Sequence, residues 1–207
     1  ELIAWLHNKG RVALAFSGGV DSTSLLKVAV DGLGSENVLP LLAQAQLHSQ
    51  REGMEAREYA KNIGAALHIL PMDIHQVPGL TSNPPDRCYI CNKAIFTQLW
   101  AYARAQGFET LIDGSNADDV GDYRPGLRAL SELKVESPRK ALGITKAEIR
   151  ARSSALGLPT AAKPALACLA TRIPTGQRIT AGLLGKIERA EDFLFSLGFT
   201  DFRVRIL

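Results

Sequence analysis

Ser17-Gly18-Gly19-Val20-Asp21-Ser22 is the stretch that decides the fold, because it stands between a strand-like run and a helical pattern. The run before it, residues 11–16, reads RVALAF and is typical of a buried strand. The pattern after it repeats apolar residues every three to four positions and ends at Gly34. A strand, a glycine-rich loop and a helix N-terminus in this order predict a binding site for an anion.

The residue types in the loop suit the phosphates of a nucleotide. Gly18 and Gly19 allow the main chain to approach a ligand closely, while Ser17 and Ser22 offer hydroxyl donors. Asp21 can orient the loop or help to hold Mg²⁺. The stretch lacks the Gly-Lys-Ser/Thr ending of a Walker loop and does not match GxGxxG, so another type of phosphate loop is predicted.

Apolar runs and helical patterns alternate through the rest of the chain. Further strands are predicted over residues 38–43, 66–70 and 110–112, and helices over residues 51–63, 92–106 and 180–197. A capping box of Thr145 and Glu148 opens one more helix. This alternation predicts a three-layer α/β fold, with a parallel sheet of about five strands and helices on both faces. We expect residues 1–140 to form the nucleotide domain and residues 141–207 a smaller part that is incomplete at its C-terminus.

Composition and charge exclude several classes of protein. The 207 residues are 46% hydrophobic, which is enough for a full core. The net charge of +3 is too small to predict a broad surface for nucleic acid. The sequence shows no apolar run long enough to cross a bilayer and no basic leader, so a cytoplasmic protein without membrane contact is predicted.

Three cysteines form an odd set in a chain without a secretory signal, which argues against a disulfide framework. Cys88 and Cys91 form a CxxC pair that brings two thiols to one centre, and Cys168 can complete three ligands while one position stays open. Structural zinc usually takes four ligands, and no histidine lies near these segments in the sequence. The cysteines therefore favour metal or reactive-sulfur chemistry.

Four stretches carry a resemblance to known families. The SGGVDS string resembles the PP-loop of the ATP pyrophosphatases, which split ATP between the α and β phosphates and adenylate a substrate. The other three resemble the LarE family of ATP-dependent sulfur transferases: residues 83–91 (NPPDRCYIC), residues 113–126 (DGSNADDVGDYRPG), and Lys163-Pro164 followed by residues 168–174 (CLATRIP).

The resemblance implies a fold of the adenine nucleotide alpha hydrolase type and a defined reaction. Such enzymes use ATP and Mg²⁺ to adenylate a carboxylate of a pyridinium mononucleotide and then convert it to a thiocarboxylate. This step belongs to the synthesis of the nickel-pincer nucleotide cofactor. The resemblance also implies a homo-oligomer that takes its sulfur from sulfide or from a sulfur-donor protein.

The resemblance gives the cysteines specific roles. In the family the cysteine that corresponds to Cys168 attacks the acyl adenylate, and in one branch it gives up its own sulfur. Other PP-loop sulfur transferases bind a [4Fe–4S] cluster through three cysteines. We expect the cluster type here, with Cys88, Cys91 and Cys168 as ligands. Zinc, and free thiols with Cys168 as the direct donor, stay open as alternatives.

Further charged residues complete the predicted site. Arg172, four residues after Cys168, is expected to act at the catalytic site, where its bidentate guanidinium suits a phosphate of ATP or of the mononucleotide. Phosphate contacts are predicted for Arg124, Arg203 and Arg205, of which the last two alternate with Val204 as on a strand. For each of the arginines a solvated or salt-bridged surface side chain stays the alternative.

Acidic residues are expected near the same site. Asp118 and Asp119 follow the fourth predicted strand and are candidates for Mg²⁺ or ribose contacts, with helix capping as the alternative. Glu191 is either a metal ligand or a charge on a helix surface.

Three alternative functions stay open. A tRNA-thiolating PP-loop enzyme usually adds an RNA-binding module or zinc ribbons, which this sequence does not show. An ammonia-using synthetase would leave the cysteines without a role. A nucleotide-binding regulatory module would release no pyrophosphate, and the intact SGGVDS string argues against it.

Overall fold

The structure, a computed structural model, describes residues 1–119, 125–165 and 167–206. Within these residues the chain forms four strands and eight helices. The strands are β1 (Val12–Ala15), β2 (Val38–Ala45), β3 (His68–Met72) and β4 (Leu111–Ile112). The helices are α1 (Leu2–Lys9), α2 (Val20–Leu33), α3 (Gln50–Ile63), α4 (Arg87–Ala105), α5 (Pro125–Glu132), α6 (Pro138–Ala141), α7 (Lys146–Ala155) and α8 (Ala181–Ser196).

The strands form one parallel sheet in the order β3-β2-β1-β4, which confirms the predicted class. Among the described residues the sheet has four strands where about five were expected, and one isolated parallel bridge joins Ile112 to Glu136. The bridge is not extended, because Pro138 lacks an N–H group and begins α6 two residues later.

Helices cover both faces of the sheet, as a parallel sheet requires. Side chains from alternate positions of β1, such as Val12 and Leu14, pack with α1, α2 and α3. Ala13 points to the opposite face, where Phe96 and Leu99 of α4 and Leu130 of α5 form a second core. The predicted three-layer arrangement is confirmed.

A third core joins the C-terminal part of the chain to the end of the sheet. Leu47, which follows β2, is buried together with Leu169, Ile173 and Leu184. This packing places the segment around Cys168 beside the carboxyl ends of the strands, where open α/β folds bind ligands. The proposed domain boundary at residue 140 stays a prediction.

Two local expectations are wrong. Helix α4 begins at Arg87 rather than at residue 92, so Cys88 and Cys91 lie in its first turns and not on a loop. Pro84 and Pro85 just before it are typical of a helix start, a signal that the sequence-based boundary did not use. Residues 203–205 form no strand, since their backbone pairs with a side chain instead: the Val204 N–H donates to Glu191 Oε1.

Other local predictions are confirmed. Thr145 and Glu148 form the capping box at the start of α7, with both of its hydrogen bonds present. None of the described helices combines the length and the apolar character that a membrane span needs.

Candidate functional site

The glycine-rich loop leads directly into α2, whose N-cap is Gly19. The Ser22 hydroxyl accepts from the Ser17 N–H at 3.2 Å and lies 3.1 Å from the Ser17 hydroxyl, which closes the loop on itself. The first intrahelical bond is donated by the Thr23 N–H, so the N–H groups of residues 20–22 make no bond within the helix and can bind an anion. The Gly19 N–H donates to the Ser17 hydroxyl at 3.4 Å. The five predicted loop residues therefore surround one helix N-terminus, as expected.

Asp21 connects the loop to three other parts of the chain. Its carboxylate accepts from Lys146 Nζ and, at 3.3 Å, from Asn116 Nδ2. Its backbone carbonyl accepts from Arg139 Nη1 at 2.7 Å. Burial lowers the pKa of Arg139 to about 10, although Asp21 favours its charged form. Positive charge therefore surrounds the start of α2, which suits a polyphosphate.

A cavity of 320 Å³ lies between the loop and the C-terminal part of the chain. Its walls include Ser17, Gly19 and Asp21 on one side and Cys168 on another. Lys163 also lines it, and its ammonium donates to the Gly18 carbonyl at 3.2 Å. The first loop and the third cysteine therefore border the same space.

A second cavity, of 410 Å³, adjoins the first and shares Asp21 and Lys146 with it. Asp118 and Asp119 line this second space, so the structure brings them to the phosphate loop as the sequence predicted. Asp118 also accepts from the Lys146 N–H at 2.7 Å, which is the capping role that had been kept as an alternative.

The three cysteines are free thiols that converge from two segments. Cys88 is exposed near the start of α4, while Cys91 and Cys168 are half-buried against the third core. Burial, together with the neighbouring Cys168 and Cys88, raises the pKa of the Cys91 thiol to about 12. Burial also raises the pKa of Cys168, against the positive charge of Arg87 nearby. Both buried thiols therefore favour their protonated form at neutral pH.

The convergence does not amount to the ligand set of a single ion. Across residues 1–119, 125–165 and 167–206, no three or more His, Cys, Asp or Glu side chains are arranged so that they could hold one metal ion. The predicted metal role of Cys88, Cys91 and Cys168 stays a prediction.

Arg172 lies beside the third cysteine but its guanidinium is already engaged. It is 3% exposed and donates to both carboxylate oxygens of Glu191, at 2.8 and 3.0 Å. Its Nη1 also donates to the carbonyls of Ala167 and Cys168, at 2.6 and 3.1 Å. Arg172 thus fixes the backbone around Cys168, and its predicted catalytic role stays a prediction. Glu191 is a buried partner of this arginine rather than a surface charge.

The remaining predicted arginines are less constrained. Arg203 and Arg205 are exposed, near the point where the Val204 and Ile206 N–H groups bond to Glu191 and to the Arg172 carbonyl. Their phosphate contacts stay predictions. Arg124 lies outside the described residues.

Sequence reasoning missed several residues that line the 320 Å³ cavity. Lys146, Gln44 and His48 come from different elements and fit no short motif. Burial lowers the pKa of His48, while Glu52 opposes this shift. Only the position of His48 and Gln44 at the carboxyl end of a predicted strand could have indicated them.

No protein-family model matches the chain. An uncharacterised protein of Synechocystis is 41% identical over 195 residues, which cover 94% of this chain and 72% of that protein. The pyridinium-3,5-bisthiocarboxylic acid mononucleotide synthase of Lactiplantibacillus plantarum is 35% identical over 204 residues, which cover 99% of this chain and 74% of the synthase. A tRNA-cytidine(32) 2-sulfurtransferase of Xylella fastidiosa matches only in part, at 28% identity over 53% of this chain and 38% of its own length.

Proposed function

This chain belongs to the LarE family of PP-loop enzymes, and we propose from this premise that it is an ATP-dependent sulfur transferase of nickel-pincer cofactor synthesis. Its substrate would be a pyridinium carboxylate mononucleotide, which it converts to a thiocarboxylate. The relative from Lactiplantibacillus plantarum, which aligns with almost the whole chain, is named for a bisthiocarboxylic acid mononucleotide of this class.

The first half of the reaction is adenylation. A substrate carboxylate oxygen attacks the α phosphorus of ATP, and pyrophosphate leaves with its bonding electrons. The loop residues 17–22, with the N–H groups at the start of α2, would bind the phosphates. Lys146 lies at the junction of the two cavities and would stabilise the negative charge that develops on the phosphates. Asp21 and Asp118 are the candidate Mg²⁺ contacts.

The second half of the reaction is displacement by sulfur. The acyl adenylate has a good leaving group, so a sulfur nucleophile can attack the acyl carbon and expel AMP. Cys168 borders the same cavity as the loop, and this single observation carries the proposal. If Cys168 itself attacks, its thiol must first lose a proton, because burial raises its pKa.

Three cysteines are the kind of donor set that a [4Fe–4S] cluster takes, since such clusters are held by cysteine thiolates. The three thiols lie near enough to affect one another's pKa values, which supports this choice. Cys88, Cys91 and Cys168 would hold the cluster, whose open iron would supply sulfide as the nucleophile. The protein residues would bind and orient the acyl adenylate.

The same proposal includes the cellular location, the source of sulfur and the oligomeric state. ATP and free thiols are features of reducing intracellular compartments, which supports a cytoplasmic location. Sulfide or a sulfur-donor protein would replace the transferred sulfur. A homo-oligomer is expected from the family.

The reaction can be tested with the purified chain, ATP, Mg²⁺ and a pyridinium-3,5-dicarboxylate mononucleotide. We expect pyrophosphate release that depends on the mononucleotide, and a thiocarboxylate product visible by mass spectrometry. In Cys168→Ser, pyrophosphate release should persist while the thiocarboxylate is lost. Pyrophosphate release that does not respond to any carboxylate would refute the proposal, and retention of tRNA with thiolation of a base would favour the partial relative instead.

The cluster is tested separately by anaerobic reconstitution with iron and sulfide. We expect about four irons per chain, and loss of iron in each of Cys88→Ser, Cys91→Ser and Cys168→Ser. An iron-free protein that still forms thiocarboxylate, with a loss of 34 Da at residue 168 as cysteine becomes dehydroalanine, would instead support the sacrificial mechanism.

A further inference from the structure

Two separate segments supply the thiols, and something must fix the distance between them. Cys88 and Cys91 lie at the start of α4, whereas Cys168 lies almost 80 residues later in an irregular segment. Both segments touch the third core, but apolar contacts are non-directional and do not by themselves fix how one segment is oriented against the other. Hydrogen bonds between the two segments would therefore set the distance between their sulfur atoms.

Asn83 supplies one set of these bonds from just before α4. It is fully buried, and its Nδ2 donates to the Pro174 carbonyl at 2.8 Å and to the Ile173 carbonyl at 3.4 Å. Its own carbonyl accepts from the Gly176 N–H at 2.8 Å. Asn83 holds a left-handed backbone conformation with φ of 56°, a geometry that asparagine tolerates better than most residues.

Arg87, the first residue of α4, supplies the other set. A single nitrogen, Nη1, donates to Asn83 Oδ1 and to the Ala170 carbonyl, the latter at 3.2 Å. Ala170 is two residues after Cys168, and Cys88 is the neighbour of Arg87 in the chain. The arginine therefore ties the two cysteine-bearing segments together at the point where the thiols meet.

From these contacts we propose that Asn83 and Arg87 form a positioning pair that sets the spacing of the thiols in the free protein. Every hydrogen bond of the pair joins two parts of the chain itself, so in this proposal the pair assembles the site before a metal, nucleotide or substrate binds. A preorganised site avoids the cost of ordering its ligands during binding. The use of this spacing in sulfur transfer rests on the function proposed above, whereas the spacing itself does not.

The test is the bridging of one thiol from each segment by phenylarsine oxide in the iron-free full chain without ATP. Two As–S bonds form with Cys88 and Cys168 in a Cys91→Ser background, and the arsenic-bound oxygen leaves as water with the two thiol protons. Added to this background, Arg87→Met should weaken arsenical binding about tenfold or more, because the second thiol loses its high effective concentration. Lys93→Met, which removes an exposed cation almost two turns further along α4, should leave the affinity unchanged.

Two further variants keep the test decisive if Arg87→Met does not fold. Arg87→Lys should restore most of the affinity, because one nitrogen makes both bonds and an ammonium can replace it. Asn83→Asp keeps the acceptor for Arg87 but turns the buried donor Nδ2 into an oxygen that faces the Ile173 and Pro174 carbonyls, so it should clearly weaken arsenical binding. Equal affinity in Arg87→Met and Lys93→Met, or an Asn83→Asp variant that binds the arsenical as tightly as the Cys91→Ser background, would overturn the proposal. Because arsenical binding is measured without ATP or substrate, its outcome does not depend on whether the chain transfers sulfur.

Discussion

Gly18 adopts φ of +71°, in the left-handed region that L residues rarely enter. A Cβ added there would lie 2.9 Å from the Ala56 Cβ on α3. Gly18→Ala should therefore lower the free energy of unfolding by about 2 kcal/mol or more, through backbone strain and this contact. Urea denaturation would measure the loss, and pyrophosphate release should fall with it because the loop is displaced.

Gly19 is the matched control for Gly18. Its φ of −79° suits any residue, and an added Cβ would meet nothing closer than the Ser17 hydroxyl at 3.5 Å. Gly19→Ala should cost less than about 1 kcal/mol, the price of a poorer N-cap. Similar losses of stability in the two variants would contradict the larger cost that we assign to backbone strain and the Ala56 contact at Gly18.

His48 gives the molecule a defined response to acid. Burial lowers the pKa of its imidazole below the ordinary value of 6.5, so the folded state disfavours the proton that the unfolded chain accepts. Its contribution to stability is present above pH 6.5 and is lost as the pH falls through the lower folded pKa. Unfolding free energies measured from pH 8 to pH 5 should therefore fall more steeply in the wild type than in His48→Gln.

The control for this prediction is His75→Gln, because His75 is exposed to solvent. Its stability should follow the wild type over the same range of pH. The same acid response in the wild type, His48→Gln and His75→Gln would contradict the effect assigned to burial of His48.

Single residues differ in how far the sequence could predict them. Ser17 and Asp21 could be identified because a contiguous string and its flanking elements define their environment. Lys146 could not, because its role depends on a contact with Asp21 across more than 100 residues. The sequence indicated Arg172 as a site residue, but it indicated Glu191 only as a metal ligand or a surface charge and not as the buried partner of Arg172. Nothing local in the sequence shows which side of α8 is covered.

At the scale of the elements, one buried ion pair joins α8 to the segment that carries Cys168. Arg172 and Glu191 are 3% and 6% exposed, so removal of one charge leaves the other buried without a partner. Glu191→Gln should lower the free energy of unfolding by about 3 kcal/mol or more. Sulfur transfer should also fall, because Arg172 holds the carbonyl of Cys168. Denaturation and product formation would measure the two effects.

Asp192, the next residue of α8, is the control for Glu191. It is exposed and its nearest cation, Arg51 Nε, is 3.6 Å away. Asp192→Asn should change stability by no more than about 0.5 kcal/mol. Losses of the same size in both variants would mean that the buried pair does not fasten the helix.

The boundaries of the elements show what periodicity can and cannot predict. The capping box fixed the start of α7, because its signal is local and needs no tertiary contact. The start of α4 was predicted five residues late, because its first turns carry cysteines and follow two prolines instead of continuing the apolar pattern. The strand expected over residues 203–205 was wrong because Glu191 takes up the N–H group that a neighbouring strand would have needed.

At the scale of the whole molecule, the layers and the parallel sheet followed from the alternation of patterns. The third core did not, since Leu47 and Leu169 meet through a hydrogen bond of 2.8 Å between residues far apart in the sequence. This core sets the position of Cys168 relative to the phosphate loop. That the phosphate loop and Cys168 line one cavity is a property of the folded chain, which no local pattern in the sequence shows.

The most direct test of the shared cavity is the alkylation of individual cysteines in the iron-free protein, followed by mass spectrometry, with and without ATP and Mg²⁺. Cys168 lines the cavity beside the phosphate loop, whereas Cys88 is exposed outside it and serves as the internal control. With ATP at ten times its Kd, the rate at Cys168 should fall about tenfold while the rate at Cys88 stays the same. Saturating ATP that leaves the Cys168 rate unchanged would contradict the claim that nucleotide and sulfur meet in one cavity.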